Sequence, residues 1–288
     1  MTAPNHNWRK FKNVLMQIIA FSCAILVVAP LVLVFYHLVK EGFSSMNWAF
    51  FTQLPKPVGE PGGGMANAIV GTFILLGQAA VLGVPIGVLG GVFLSEYGSS
   101  RLNWWIRFAA DVLNGVPSIT WGMVVYALIV VPMKGFSALA GGVVLGLMMI
   151  PLVMRTTEEV LQLVPNGYRE AAYALGATRW EVTRIAVLSY AKKGLFGAVI
   201  LGLGRALGET MAVTMVIGNR PEIAKSLFAP GYTLASVIAN EFTEATTDTY
   251  LSALFEIGLV LLGVTVLVNA LAQLLLKTFA GPGVKPQQ

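Results

Sequence analysis

Long apolar runs recur along almost the whole chain, and no other feature limits its fold as severely. Six of them, at approximately 14–38, 67–94, 108–133, 137–154, 194–218 and 251–276, are each long enough to cross a membrane, which takes about 20 helical residues for a ~30 Å hydrocarbon core. Lipid offers backbone polar groups no partners, so each run must satisfy its own by forming a helix. Of the 288 residues, 56% are hydrophobic and 11% charged, against about 25% charged in soluble domains. Too few charges exist to cover a water-facing surface. The expectation is an all-α membrane protein with six transmembrane helices and no separate soluble domain.

The positions of Lys and Arg set the expected orientation. With the N-terminus inside, most of the 19 basic residues gather on the cytoplasmic side. Only Lys40, Lys56, Lys134, Arg220 and Lys225 fall outside, and Arg205 lies within the fifth run. Both termini are therefore expected in the cytoplasm: a segment 1–13, a six-helix domain 14–276 and a tail 277–288. Arg9, Lys10 and Lys12 precede the first run, as in a signal peptide. That run is longer than a signal core, however, and no small-residue cleavage site follows before Lys40, so a retained helix is expected.

Several function classes drop out. The net charge of +5 comes from particular loops rather than one basic face, which fits membrane orientation and not nucleic-acid binding. The single cysteine, Cys23, lies inside the first run and builds neither an intrachain disulfide nor a metal site. No Gly-x-x-x-x-Gly-Lys-[Ser/Thr] is present to hold ATP phosphates. No Gly-x-Ser-x-Gly elbow appears, and His6 and His37 are too far apart to suggest a metal. No catalytic residue, metal or cofactor is expected, and any energy source must be another subunit.

Three connections stand out. The outer loop 40–66 holds Pro55, Pro57, Pro61 and Gly62-Gly63-Gly64 and reads as irregular. The outer loop 219–250 contains a candidate short surface helix over 233–244. The inner connection 155–193 is polar and rich in helix formers, and Pro165-Asn166-Gly167 divides it into two short helices, a hairpin on the cytoplasmic face. Within it runs Glu170-Ala171-Ala172-Tyr173-Ala174-Leu175-Gly176-Ala177-Thr178-Arg179-Trp180. Small alanines admit a close neighbour, and Gly176 permits a sharp turn. Trp180 and Leu188 offer apolar anchors, while Glu170 and Arg179 offer directional polar contacts. On these residues alone, a helix that docks on a partner and an ordinary amphipathic loop are both open.

The segment resembles the EAA motif of ABC-importer permeases, in which Glu-Ala-Ala, three residues and Gly precede Ile-x-Leu-Pro. Glu170, Ala171, Ala172 and Gly176 match its first half. In the second half Ala186 stands at the Ile position and Ser189 at the Pro position, and only Leu188 agrees. The rest of the chain is similar to phosphate importer permeases. Residues 62–72, 114–119 and 155–159 look like the PstA branch, whereas 205–214 and 229–241 look more like PstC; the N-terminal two-thirds favours PstA. The resemblance implies a type I (MetI-like) importer fold in a bacterial inner membrane. It further implies a second, related permease, two copies of an ATPase beneath, and a periplasmic phosphate-binding protein above.

Charges inside the runs are expected to mark the path of the cargo. Arg205 and Glu209 stand four apart, so a continuous helix would place them on one face. An ionisable group at bilayer depth costs at least a few kcal/mol and needs a partner or water. The pair reads either as a lock between helices or as a pore lining in which the guanidinium meets an oxyanion bidentately. Glu256, in the sixth run, either pairs with Arg205 or stands as a solvated or protonated carboxylate. Gly202, Gly204 and Gly208 read as packing residues, and Pro117, Pro132 and Pro151 as kinks. Asn67 and Ser118 either line the path or satisfy freed backbone groups. Sulfate, molybdate and phosphonate permeases share the docking motif, and an ion-coupled secondary transporter or a membrane scaffold would also be helical.

Overall fold

The computed structural model describes residues 6–57, 60 and 62–279. Pro61, the start of the N-terminal segment and residues 280–288 of the expected tail lie outside the described residues. Helix α1 spans His6–Ser45, α2 Trp48–Thr52, α3 Ala66–Tyr97, α4 Ser100–Gly115 and α5 Ser118–Met133. They are followed by α6 (Ala138–Gln162), α7 (Asn166–Ala174), α8 (Arg179–Gly208), α9 (Met211–Ile217), α10 (Leu234–Glu241) and α11 (Asp248–Phe279). No strand occurs among the described residues. We call the end that carries α7 the inner end, following the charge asymmetry.

Five helices, α1, α3, α6, α8 and α11, are long and apolar enough to cross a membrane, and the bent pair α4–α5, counted as one span, gives a sixth. The third run was expected as one helix over 108–133. Instead the chain bends by 100° between α4 and α5. Pro117 is the cause: it disfavours helical geometry at Val116, whose ψ of 128° is extended. Pro117 thus ends a helix where a kink was expected. Pro132 follows a π-helical turn, Tyr126–Val130, and Pro151 stays inside α6.

The core is the contact of α3 with α6. Gly83, Gly87 and Gly91 of α3 face Met149, Val153 and Thr157 of α6, and Gly141, Gly142 and Gly146 return the favour to Leu75, Gln78 and Leu82. Small residues let membrane helices approach closely where no hydrophobic effect drives them together. Leu75, Val144, Met149 and Val153 are fully buried there. Helix α8 packs on this pair through Gly202, which abuts Val153 and Met149. Gly204 and Gly208, also expected to pack, meet nothing within 4 Å. Helix α1 crosses α11 at Gly42, where an added Cβ would lie 2.9 Å from the Phe255 carbonyl oxygen.

Two connections differ from expectation. The inner connection 155–193 is not two free short helices: α6 continues to Gln162, Pro165 precedes the first turn of α7, and Thr178 caps α8 directly. The helix expected near 233–244 does form as α10, but its Leu234–Val237 turn is buried in the outer end rather than lying on a surface. Its apolar residues fill space that the irregular outer loops leave between α3, α9 and α11.

Candidate docking segment and membrane path

Helix α7 carries the first half of the EAA-like segment and presents most of it outward. Glu170, Ala171, Tyr173, Ala174 and Leu175 are exposed, Leu175 to 89%, and Ala172 is half-buried. Gly176 ends the segment at φ +82°, a left-handed conformation that favours glycine. Thr178 then opens α8 with a capping box: Glu181 N–H donates to Thr178 Oγ1 at 3.4 Å, and Thr178 N–H to Glu181 Oε2 at 2.7 Å. At the motif's departure, the Ser189 hydroxyl donates to the Arg184 carbonyl at 3.3 Å, beside a π-helical turn over Val182–Val187.

Two charge clusters tie this end together. Arg169, just before the motif, grips Glu96 at the end of α3 with Nη2 at 2.7 Å from Oε1 and Nε at 3.2 Å from Oε2. Arg179, read from the sequence as able to make directional polar contacts, makes them to the end of α3 while staying exposed: its guanidinium lies 4.8 Å from the Tyr97 ring centre and donates to the Glu96 carbonyl. The Tyr97 and Thr183 hydroxyls meet at 3.2 Å. In the second cluster the buried Glu158 of α6 receives Arg107 Nη2 of α4 and Arg155 Nη1, each at 2.5 Å. Arg155 also reaches Asp111 of α4 at 3.0 Å. Glu96, Arg169 and Glu158 are not among the site residues expected from the sequence. The signal available was a carboxylate at the very end of the second apolar run.

The charges expected in the path are placed differently from the single helical face foreseen. Helix α8 stops at Gly208, and Glu209 is extended, with ψ 124°. Arg205 and Glu209 therefore do not share a continuous helix, and no ion pair joins them. Glu209 Oε1 instead accepts from the Ala212 N–H at 3.3 Å, at the start of α9. Beside it lies a cavity of about 10 Å³, lined by Thr72, Leu145, Ala206 and Thr233 among others, enough for about one water. Arg205 is exposed and shares a face of α8 with Gly197, Leu201, Gly204 and Gly208, where no glycine meets a neighbour within 4 Å. Glu256 pairs with neither Arg205 nor solvent. It is 3% exposed, accepts a backbone hydrogen bond from Asn47 at the start of α2, and leaves Oε1 without a partner.

The outer end closes on a carboxylate held by two phenols and on backbone groups. Tyr232 and Tyr250 hydroxyls donate to the two oxygens of Glu241, at 2.9 and 3.0 Å. Burial, reinforced by the Glu241 carboxylate, pushes the Tyr232 phenol above its ordinary pKa, so it remains a donor. The buried Asn67 amide donates to the Arg220 carbonyl at 3.3 Å, which satisfies a backbone group. Ala229 and Leu227 carbonyls accept from the first N–H groups of α6, at 2.9 and 2.7 Å.

The family described as binding-protein-dependent transport system inner membrane component matches residues 83–280. The chain is 38% identical over 263 residues to the phosphate transport system permease protein PstC of Mesorhizobium japonicum, covering 82% of this chain and 80% of that one. It is 36% identical over 242 residues to the phosphate transport system permease protein PstA of Haemophilus influenzae, covering 84% and 86%. The two branches thus stand about equally near. Among solved structures, a bacterial alginate ABC transporter in complex with an alginate pentasaccharide-bound periplasmic protein aligns with TM-score 0.65 at 14% identity, covering 96% of this chain and 97% of that one. An inward-facing MetNI methionine ABC transporter aligns with TM-score 0.56 at 18% identity, covering 86% and 97%.

Proposed function

Because the chain belongs to the family of binding-protein-dependent transport system inner membrane components, and its relatives include PstA and PstC, we propose that it is one of two permease subunits through which an ATP-driven complex imports inorganic phosphate. The observation that carries this reading is the uncovered face of α8. Arg205 sits there beside a glycine stripe, on a helix long enough to cross the membrane, where the described residues bring nothing within 4 Å of the glycines. A guanidinium facing lipid costs several kcal/mol. An aqueous path completed by a second, related permease removes that cost.

In this reading both termini are cytoplasmic, α7 docks on an ATPase present in two copies, and a periplasmic phosphate-binding protein delivers cargo to the outer end. ATP binding pushes α7, the paired permeases open outward, and reset releases the ion inward. Glu170, Ala171, Ala172 and Gly176 form the docking surface. Arg205 meets the oxyanion with its planar fork. A single arginine, with Glu209 one turn away in sequence, binds weakly enough for release. Glu256 supports the outer wall of the path by fixing Asn47 and α2.

The test is Arg205→Ala in the purified complex, reconstituted with the ATPase and binding protein. Uptake of radiolabelled phosphate should fall about 100-fold, equivalent to the loss of about 3 kcal/mol of charge-assisted contact, with the complex still assembled. Unchanged uptake at equal abundance removes Arg205 from the path. Uptake by the wild-type chain alone, without ATP, replaces the importer with a secondary transporter, and uptake suppressed by excess sulfate or molybdate changes the cargo.

A further inference from the structure

One side chain ties the docking helix to the ends of two bundle helices, beside the packing of Tyr168 on Tyr190 at 4.8 Å. Arg169 has five N–H donors, and every one has an acceptor. Nε and Nη2 take the two oxygens of Glu96 at 3.2 and 2.7 Å, and Nη2 also reaches the Leu161 carbonyl at 3.1 Å. Nη1 reaches the Val164 carbonyl at 2.7 Å and Asn166 Oδ1 at 3.4 Å. One guanidinium therefore joins the end of α3, the end of α6 and the first turn of α7. Lysine, with a point charge and three donors, has no such geometry.

The same residue holds the other end of the segment through its backbone carbonyl. Ser95 donates to Glu96 Oε1 at 2.9 Å, the Glu96 carbonyl accepts from Arg179 at the start of α8, and Arg179 also stacks on Tyr97. The side chains of Glu96 and Arg169 are 9% and 18% exposed, so water screens the pair little. The motif Glu170–Gly176 is thus anchored to Glu96 from both sides. Helices α3 and α6 are themselves locked by their interleaved glycines.

We propose that Glu96 is a positioning residue for energy coupling: it makes α7 move as one rigid body with α3 and α6, so that a push on the docking helix turns the pair instead of bending its loop. The proposal rests on the importer reading above. Without the tie, α7 keeps the Arg169 bonds to the Leu161 and Val164 carbonyls and the Tyr168–Tyr190 ring contact with α8, at 4.8 Å, but loses its side-chain link to α3. The ATPase can then still grip α7, but its stroke is spent in the short connections at 163–165 and 175–178 before it reaches α3.

The experiment uses the complete complex with its ATPase and binding protein, reconstituted in vesicles, and follows radiolabelled phosphate uptake and ATP hydrolysis together. For Glu96→Gln, the ATPase should co-purify in unchanged ratio and hydrolysis should stay above about half of wild type, while uptake falls about tenfold, so the ions moved per ATP drop several-fold. Glu96→Asp, which keeps the charge, should recover most of the ratio. An unchanged ratio in Glu96→Gln overturns the proposal. So does a parallel loss of uptake, hydrolysis and bound ATPase, which is the mark of a merely structural residue. Should Glu96→Gln fail to reach the membrane, Arg169→Lys carries the same test: a lowered ratio with assembly intact supports the tie, and a normal ratio overturns it. A wild-type complex without ATP-dependent uptake defeats the importer reading itself, and that arm is read separately from the variants.

Discussion

At the inner end of the bundle, helices are joined by ionised groups: Arg169 and Arg179 converge on Glu96, and Arg107 and Arg155 on Glu158. At the outer end, the joints described here use phenols, an amide and the backbone, with Glu241 held by two tyrosines and Thr72 Oγ1 accepting from the Leu234 N–H at 3.1 Å. The two chemistries suit different tasks. A buried charge whose partner is removed is left at high cost, so an ionic joint resists being pulled open. A phenol or backbone hydrogen bond at a partly exposed site, even one to the Glu241 carboxylate, can be exchanged for water at a net cost of about 1–2 kcal/mol. In the importer proposed above, the end that receives the push is the one built to stay together, and the end that admits cargo is the one built to part.

The largest effect expected is at Glu158. Glu158→Ala removes the carboxylate between two guanidiniums at a site only 1% exposed and should cost about 3 kcal/mol or more. Thermal unfolding of the detergent-solubilised complex measures it, with a clear fall in Tm and lower abundance in the membrane. A change near zero would mean that the inner charges are ornament and the contrast between the ends is false.

The next effect belongs to the outer end. Gly71 approaches the α10 loop so closely that an added Cβ would lie 1.9 Å from the Tyr232 carbonyl oxygen. Gly71→Ala should cost about 2 kcal/mol through overpacking, and the cost should appear as opening of the outer cap and not as loss of the inner joints. A cysteine at the buried Ala235, in a Cys23→Ser background, reports this through its labelling rate with an impermeant maleimide. Faster labelling with unchanged ATPase binding sharpens the comparison. Unchanged labelling shows that some other contact seals the cap.

The sequence made the helices legible because hydropathy reports what lipid demands of each segment separately. The exposed segment and its closing turn were legible for a related reason: Glu170-Ala171-Ala172 and Gly176 are contiguous and local. What it hid were arrangements decided at a distance. Glu96 and Arg169 lie 73 residues apart, and no local pattern announces their contact. The stop of α8 at Gly208 was invisible because Arg205 and Glu209, four apart, read as a favourable helical pair. In the folded chain Glu209 serves the Ala212 N–H instead. Val116-Pro117 was a warning inside the third run that hydropathy outweighed. The burial of α10 had a signal in Leu234-Ala235-Ser236-Val237-Ile238, a mostly apolar stretch behind the capping pair Thr233 and Ser236.

The smallest effect tests the outer side of the contrast directly. Tyr250→Phe removes one of two phenols from Glu241 and leaves the Tyr232 contact at 2.9 Å. Because Tyr250 is only half-buried, water can take the vacated place, and the loss should be about 1 kcal/mol. A denaturation midpoint measured beside Glu158→Ala gives the ranking on one scale. The functional readout should run the opposite way from an inner-end lesion: a looser outer cap labels faster at Ala235→Cys while the ions moved per ATP stay near wild type. If Tyr250→Phe instead destabilises as much as Glu158→Ala, the Glu241 clasp is a permanent joint, and the outer end must open at some other seam.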